Sequence, residues 1–464
     1  MPSVFRLYRN ALLLLSPVLV AACTMVRPDL ARLYDAQTHR DNQPPVVVIP
    51  GLLGSRLTDE TTGRETWPGS AWQLLFHDYE SLRLEIDPEA LEPLPDRHSP
   101  DGITDRAAGR DFYGRVLEVL EDAGGYRRAE PGEGAIGDGP RYYVFDYDWR
   151  QDNVRTVAAL DQFIEQIRRD HDDPDLQVDI IAHSMGGLIA RYFIRYGVDD
   201  VLGDNDFPVS GYGAQRVRRA ILLGTPNLGS IKSVQTLIEG HKLGLARIPV
   251  EVVATFPGGL QLLPHPINDW LMKMDGEELV RDLFDRTFWE RFRISVYDPE
   301  VEARILARFQ DPDEGAAYLA LLRRYFDKHL ERARRFVWSL TVPVPAPSVR
   351  YVVFGGDCDL TPARFVVEEL DGESHLRLWP NQVRRPLPGV DYGRLMLEPG
   401  DGVVTKASLL AREALDPAVP RHEYSFFPMN FAFFLCESHD ALTGNINFQD
   451  NLLHALLSAD ELSR

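Results

Sequence analysis

The strongest chemical signal in the chain is a serine set between two apolar segments. Val178-Asp179-Ile180-Ile181-Ala182 reads as a strand, His183-Ser184-Met185-Gly186-Gly187 as a tight turn, and Leu188-Ile189-Ala190-Arg191-Tyr192 as the start of a helix. A strand, turn and helix with Ser at the apex make a nucleophile elbow, which strains the backbone to present the hydroxyl. The residues two before and two after the Ser must be small so that strand and helix can approach. Here they are Ala182 and Gly186, one methyl away from strict G-x-S-x-G. A serine that attacks an acyl group also needs N–H donors for the charge that develops on the carbonyl oxygen. Met185 follows the nucleophile and supplies one. The loop Pro50-Gly51-Leu52-Leu53-Gly54, after the apolar run Val46 to Ile49, presents the Leu52 N–H as the second.

An elbow of this kind takes its acid and then its His from later in the chain. Of the 12 His, only His422, His439 and His454 follow a plausible late acid. His454 lies in the helical apolar pattern Asn451 to Leu457, and His422 opens the apolar stretch Tyr424 to Phe427, so it is expected at a strand edge. His439, in Cys436-Glu437-Ser438-His439-Asp440, falls in a loop before the last helix and is the expected base. Two sites compete for the acid. Asp357 or Asp359 directly follows the strand Tyr351 to Phe354, whereas Asp401, in Gly400-Asp401-Gly402-Val403-Val404, is followed by helix, strand and His439 in succession, the favoured order.

These groups need a frame. Continuous apolar runs at Val46 to Ile49, Tyr142 to Phe145, Val178 to Ala182, Ala220 to Leu223 and Tyr351 to Phe354 read as strands covered on both faces. Between them Phe112, Val116, Leu117 and Leu120, and then Val154, Val157, Leu160, Phe163, Ile164 and Ile167, recur at helical spacing. Strand and helix in alternation predict an α/β fold, a mostly parallel central sheet with helices on both faces. Two insertions interrupt the rhythm and are expected to cap the sheet: about 58–111, with Trp67 and Trp72, and about 230–347, with Trp270, Phe284, Phe288, Trp289 and Phe292. The predicted domain therefore runs over 44–464. A chain of 464 residues with 44% hydrophobic content has ample core, and its net charge of −20 argues against a nucleic-acid partner. No His pair stands at ligand spacing on a helix, so neither a metal nor another cofactor is expected.

The N-terminus reads as an address. Arg6 and Arg9 precede an apolar run from Ala11 to Ala22, too short to span a bilayer, which takes ~20 residues. The run ends Val20-Ala21-Ala22-Cys23, which resembles the lipobox of bacterial lipoproteins. On that reading residues 1–22 are a signal peptide, Cys23 is lipidated, and 23–43 form a linker. Attached acyl chains would then hold the protein on a membrane without a transmembrane helix. Thr24 rather than an acid after the Cys resembles lipoproteins sorted to the outer membrane, which implies its periplasmic face. The remaining cysteines, Cys358 and Cys436, form an even pair that an exported chain can bridge.

Val47-Ile49-Pro50-Gly51-Leu53-Gly54, Tyr147-Asp148-Trp149-Arg150, the Ser184 elbow, Gly224-Thr225-Pro226-Asn227-Leu228-Gly229-Ser230, Gly400-Asp401-Gly402-Val403-Val404 and Ser438-His439 stand in a telling order. It resembles that of the lecithin:cholesterol acyltransferase and phospholipid:diacylglycerol acyltransferase family of α/β-hydrolases. The resemblance implies Ser184 as nucleophile, Asp401 as acid, His439 as base, and Leu52 with Met185 as oxyanion donors. It implies acyl transfer from a membrane lipid ester, phospholipid or acylglycerol, to water or to a lipid alcohol. Two departures stand out: Ala182 replaces a common Gly, and Val403 a common Thr, which takes a hydroxyl out of the acid loop. Tyr147 to Arg150 is expected to be mainly structural. Competing functions are a carboxylesterase for small soluble esters on the same fold and a non-catalytic envelope lipoprotein that keeps the fold as a binding module.

Overall fold

A computed structural model of the chain describes residues 27–38, 43–69, 79–107, 110–134, 139–203, 205–243, 245–344, 349–415, 418–420 and 422–458. The signal segment, Cys23 and Trp72 lie outside them. Seven strands form the central sheet: β1 (Val46–Ile49), β2 (Arg127–Arg128), β3 (Arg141–Val144), β4 (Val178–His183), β5 (Val217–Leu223), β6 (Arg350–Gly356) and β7 (Met429–Leu435). Their order is β7-β6-β5-β4-β1-β3-β2, and every neighbouring pair is parallel. Val47 and Ile49 of β1 enter one apolar core while Val46 and Val48 enter another, so the unbroken apolar run reflects burial on both faces.

Helices supply both covers. On one side lie α3 (Asn153–Asp170) and α4 (Met185–Tyr196); on the other lie α1 (Leu30–Tyr34), α2 (Gly114–Asp122) and α8 (Ile446–Leu457). The linker stretch is not featureless: the Tyr34 hydroxyl of α1 donates to Asp450 of α8, 2.8 Å from Oδ1. The first insertion is a three-stranded antiparallel sheet of Ser55–Asp59, Arg64–Trp67 and His98–Ile103. The second is mainly helical, from α5 (Ile231–Glu239) to the 28-residue α6 (Pro312–Ser339). Buried Asp152, which caps α3, binds it down by accepting from Arg332 of α6 and from Gln261, each at 2.7 Å. Residues 359–400 form a further excursion of short strands with one short helix, α7 (Tyr392–Met396), in which Phe365–Leu370 pairs with Leu271–Lys273 of the second insertion. No long apolar run marks it in the sequence.

One strand assignment needs correction. The last strand is Met429–Leu435, and Tyr424 to Phe427 is not strand. His422, expected at a strand edge, instead opens a turn in which the Ser425 N–H and hydroxyl both donate to its carbonyl. Pro428 then separates that turn from β7. Proline has no N–H to give a ladder, which delays the strand.

Candidate active site

Ser184 leaves β4 with φ 53° and ψ −122°, a conformation that an L-residue adopts only under constraint. The constraint is close packing. A Cβ on Gly186 would stand 2.5 Å from the Pro50 carbonyl oxygen, and one on Gly51 would stand 2.7 Å from Ser184 Cβ. Both positions therefore require glycine, and the loop after β1 lies directly against the serine. Ala182, the departure from the glycine pattern, is fully buried between Ile49 of β1 and Leu222 of β5.

The donors can be narrowed by what is already engaged. Ser184 N–H donates to the Leu223 carbonyl at 2.7 Å, and Gly51 N–H to the Tyr113 hydroxyl at 2.9 Å. Met185 opens α4, and an α-helix leaves its first N–H groups without an intrahelical acceptor. Leu52 lies inside the turn closed by Gly54 N–H on Gly51 O. These are the two positions expected to hold an oxyanion.

His439 Nδ1 lies 2.8 Å from Asp401 Oδ2, with both residues buried. Asp401 Oδ1 accepts from the N–H groups of Val403 and Val404, at 3.0 and 2.7 Å, so backbone orients the carboxylate. The Thr common at this position in the family that the chain resembles is not needed for this, and a hydroxyl reaches the loop from elsewhere: Thr361 Oγ1 accepts from Gly402 N–H at 2.8 Å. The rival acids are otherwise occupied. Asp357 pairs with Lys406 Nζ at 2.8 Å, and Asp359 is exposed at the start of a short strand. His454 is exposed on α8 beside Ser458.

Burial disfavours a charged His439, but the charge and hydrogen bond of Asp401 outweigh it and hold the imidazole above its usual 6.5. Burial likewise opposes charge on Asp401, and the nearby His439 leads the groups that bring it below the usual carboxylate value. His439 also reaches the elbow: its ring centroid is 4.7 Å from that of His183, the residue before the serine. Cys358 and Cys436 are disulfide-bonded, joining the ends of β6 and β7 just before His439.

The Tyr147 to Arg150 segment carries structure. Tyr147 donates to the Pro50 carbonyl and Trp149 Nε1 to that of Ser55, at 2.9 and 3.1 Å. Buried Arg150 pairs with Asp148 and, from the first insertion, with Asp96. Among the described residues no group of three or more His, Cys, Asp or Glu is arranged to hold a metal, and no helix is long and apolar enough to cross a membrane.

Residues 141–314 match the family model described as lecithin:cholesterol acyltransferase. A curated relative, lecithin-cholesterol acyltransferase-like 4 of Arabidopsis thaliana, is 26% identical over 179 residues. The match covers 33% of this chain and 30% of that protein, so the chain spans under a third of its relative's length. Over that stretch the chain is similar to the lecithin:cholesterol acyltransferase family. A solved structure, the Tle4-Tli4 complex, matches the fold with a TM-score of 0.54 at 13% identity, covering 90% of this chain and 98% of that one. Lipase 1 from Pelosinus fermentans matches at a TM-score of 0.35 and 13% identity, covering 90% of this chain and 99% of that one. Sequence reasoning quoted His183 as part of the elbow without giving it a role, and missed Tyr113. No spacing rule links a tyrosine 70 positions away to a histidine, so the sequence carried no signal for their contact.

Proposed function

We propose that the chain is a serine acyl hydrolase or O-acyltransferase that acts on lipid esters through an acyl-Ser184 intermediate. The observation that carries this reading is the buried His439–Asp401 pair beside a strained serine at the strand-to-helix turn. Asp401 engages Nδ1 and so leaves Nε2 as the proton acceptor. Nε2 takes the Ser184 proton while Oγ bonds to the ester carbonyl carbon, and the N–H groups of Leu52 and Met185 hold the oxyanion. As the intermediate collapses the ester C–O bond breaks, and His439 returns the proton to the departing alcohol. Water or a lipid hydroxyl then gives its proton to His439, attacks the acyl-enzyme and carries the acyl group away.

The similarity to lecithin:cholesterol acyltransferases supports a lipid ester as donor. The Cys23 lipobox supports a membrane-anchored lipoprotein of the bacterial envelope, at the periplasmic face of the outer membrane.

The test uses the chain without residues 1–22 and its Ser184→Ala counterpart on phospholipid vesicles that contain diacylglycerol or a sterol, with products read by mass spectrometry. Fatty acid or a new ester that disappears in the variant supports lipid acyl transfer, and the ratio of the two identifies the acceptor. Turnover of a short soluble ester alone, with no lipid product, would leave a general carboxylesterase. No Ser184-dependent product from either substrate would leave a binding module.

A further inference from the structure

Tyr113 stands immediately before α2, buried, its ring edge-on to His183 with centroids 5.7 Å apart. Its hydroxyl touches two groups: the Gly51 N–H at 2.9 Å and His183 Nδ1 at 2.8 Å. The other nitrogen of His183, Nε2, lies 3.2 Å from the main-chain carbonyl of His439. The chemistry of these groups sets the direction of every bond. Gly51 N–H can only donate, so the phenol oxygen accepts from it. A carbonyl can only accept, so His183 carries its proton on Nε2 and gives it to His439. Nδ1 is then an acceptor, and the tyrosine proton must point at it. His439 N–H continues the chain to the Asp401 carbonyl at 2.8 Å.

We infer that Tyr113 is a positioning residue of this site, whose one hydroxyl ties the oxyanion loop, the elbow and the main chain of the base into a single hydrogen-bonded unit. This rests on the acyl-transfer reading above. Burial, reinforced by the nearby His439, drives the His183 pKa down to about 3, which keeps the ring neutral and the bond directions fixed. Tyr113 does not touch the reacting atoms in this arrangement, since its hydroxyl is engaged on both sides. It acts by keeping Leu52, adjacent to Gly51, and His439 in register, where displacements of about 1 Å cost rate steeply. A phenylalanine would preserve the packing and leave Gly51 N–H and His183 Nδ1 buried without this partner.

The experiment compares the chain without residues 1–22, Tyr113→Phe, His183→Gln and the double variant on a soluble p-nitrophenyl ester. The expected result is a kcat lower by about tenfold or more in Tyr113→Phe, with KM within about twofold. The double variant should be no slower than the slower single variant, because both interrupt one chain. Separately, ¹⁵N NMR of the histidine rings in the unsubstituted chain should find His183 neutral with its proton on Nε2 at pH 5. An unchanged kcat in a folded Tyr113→Phe, losses that multiply in the double variant, or a proton on Nδ1 of His183 would each overturn the inference. No Ser184-dependent turnover by the unsubstituted chain would sink the acyl-transfer reading and this inference with it, whereas turnover with an indifferent Tyr113→Phe sinks this inference alone.

Discussion

Ser184 leaves a strand in the middle of the sheet, with β1 and β5 paired on either side, whereas His439 follows β7 at the sheet's edge, paired only with β6. The serine is therefore fixed by what is near it: two glycines, a neighbouring carbonyl and two ladders. His439, the proposed base, is fixed by ties from far along the chain. The Cys358–Cys436 bridge spans 78 residues, Asp357 N–H donates to Leu435 O, and His439 N–H donates to Asp401 O. A central strand inherits its rigidity from the sheet, and an edge strand must be fastened by added bonds. The two halves of one site should accordingly fail in different ways.

The largest effect is expected from Ser184→Ala, which should lower kcat by about five to six orders of magnitude while the thermal midpoint stays put. Residual turnover within tenfold of the parent, measured on a p-nitrophenyl ester, would remove the serine from the mechanism. Asp401→Asn should cost about three to four orders and also move the pH profile. In the parent, Asp401 outweighs burial and raises the His439 pKa above the usual 6.5; protonated His439 cannot accept the serine proton, so kcat/KM should fall as pH drops through that raised pKa. Without the carboxylate, burial is opposed only by the smaller influence of Asp440, and the acid limb should move to lower pH. A limb that does not move would mean that another acid serves the base.

Removing the bridge with Cys358→Ala and Cys436→Ala should cost about 2–4 kcal/mol of stability in urea unfolding. Because the cysteines are exposed beyond the strand ends, the central sheet should persist while kcat drops by roughly tenfold as the base loosens. Equal losses of kcat and of core circular dichroism would erase the contrast between edge and centre. Gly186→Ala should sharpen it from the other side. Its methyl meets the Pro50 and Ile49 carbonyls at 2.5 and 2.8 Å, so an overpacking cost of about 1–3 kcal/mol is expected, read as a lower thermal midpoint.

The same contrast governs what could be read from the sequence. Five of the seven sheet strands stood out as apolar runs because burial on both faces removes polar alternation; β2 has two residues and no such run, and β7 was placed several residues too early. The elbow was legible because its requirements fall within a few consecutive positions, Ala182 to Gly186. Asp401 and His439 could be ranked above Asp357, Asp359, His422 and His454 by order along the chain, but their contact is tertiary. The excursion over 359–400 escaped because its strands are short and partly exposed, with charged residues such as Glu368 and Arg377 among them. Tyr113 escaped because a hydroxyl shared between two loops leaves no periodic trace. Arg150 could be suspected of a structural role from its neighbours, but not its partner Asp96, which arrives from an insertion.

The placement of His439 at the far edge also bears on when the proposed site becomes armed. Synthesis delivers Ser184 with much of the sheet still to come, and on the proposed mechanism a nascent or clipped chain that stops short of residue 439 holds a serine with no base to activate it. The residues that follow, Phe448 to Leu457 of α8, close the second apolar face of the sheet. On the proposed mechanism, a chain that ends before residue 439 lacks both the group that would activate Ser184 and the cover of that face.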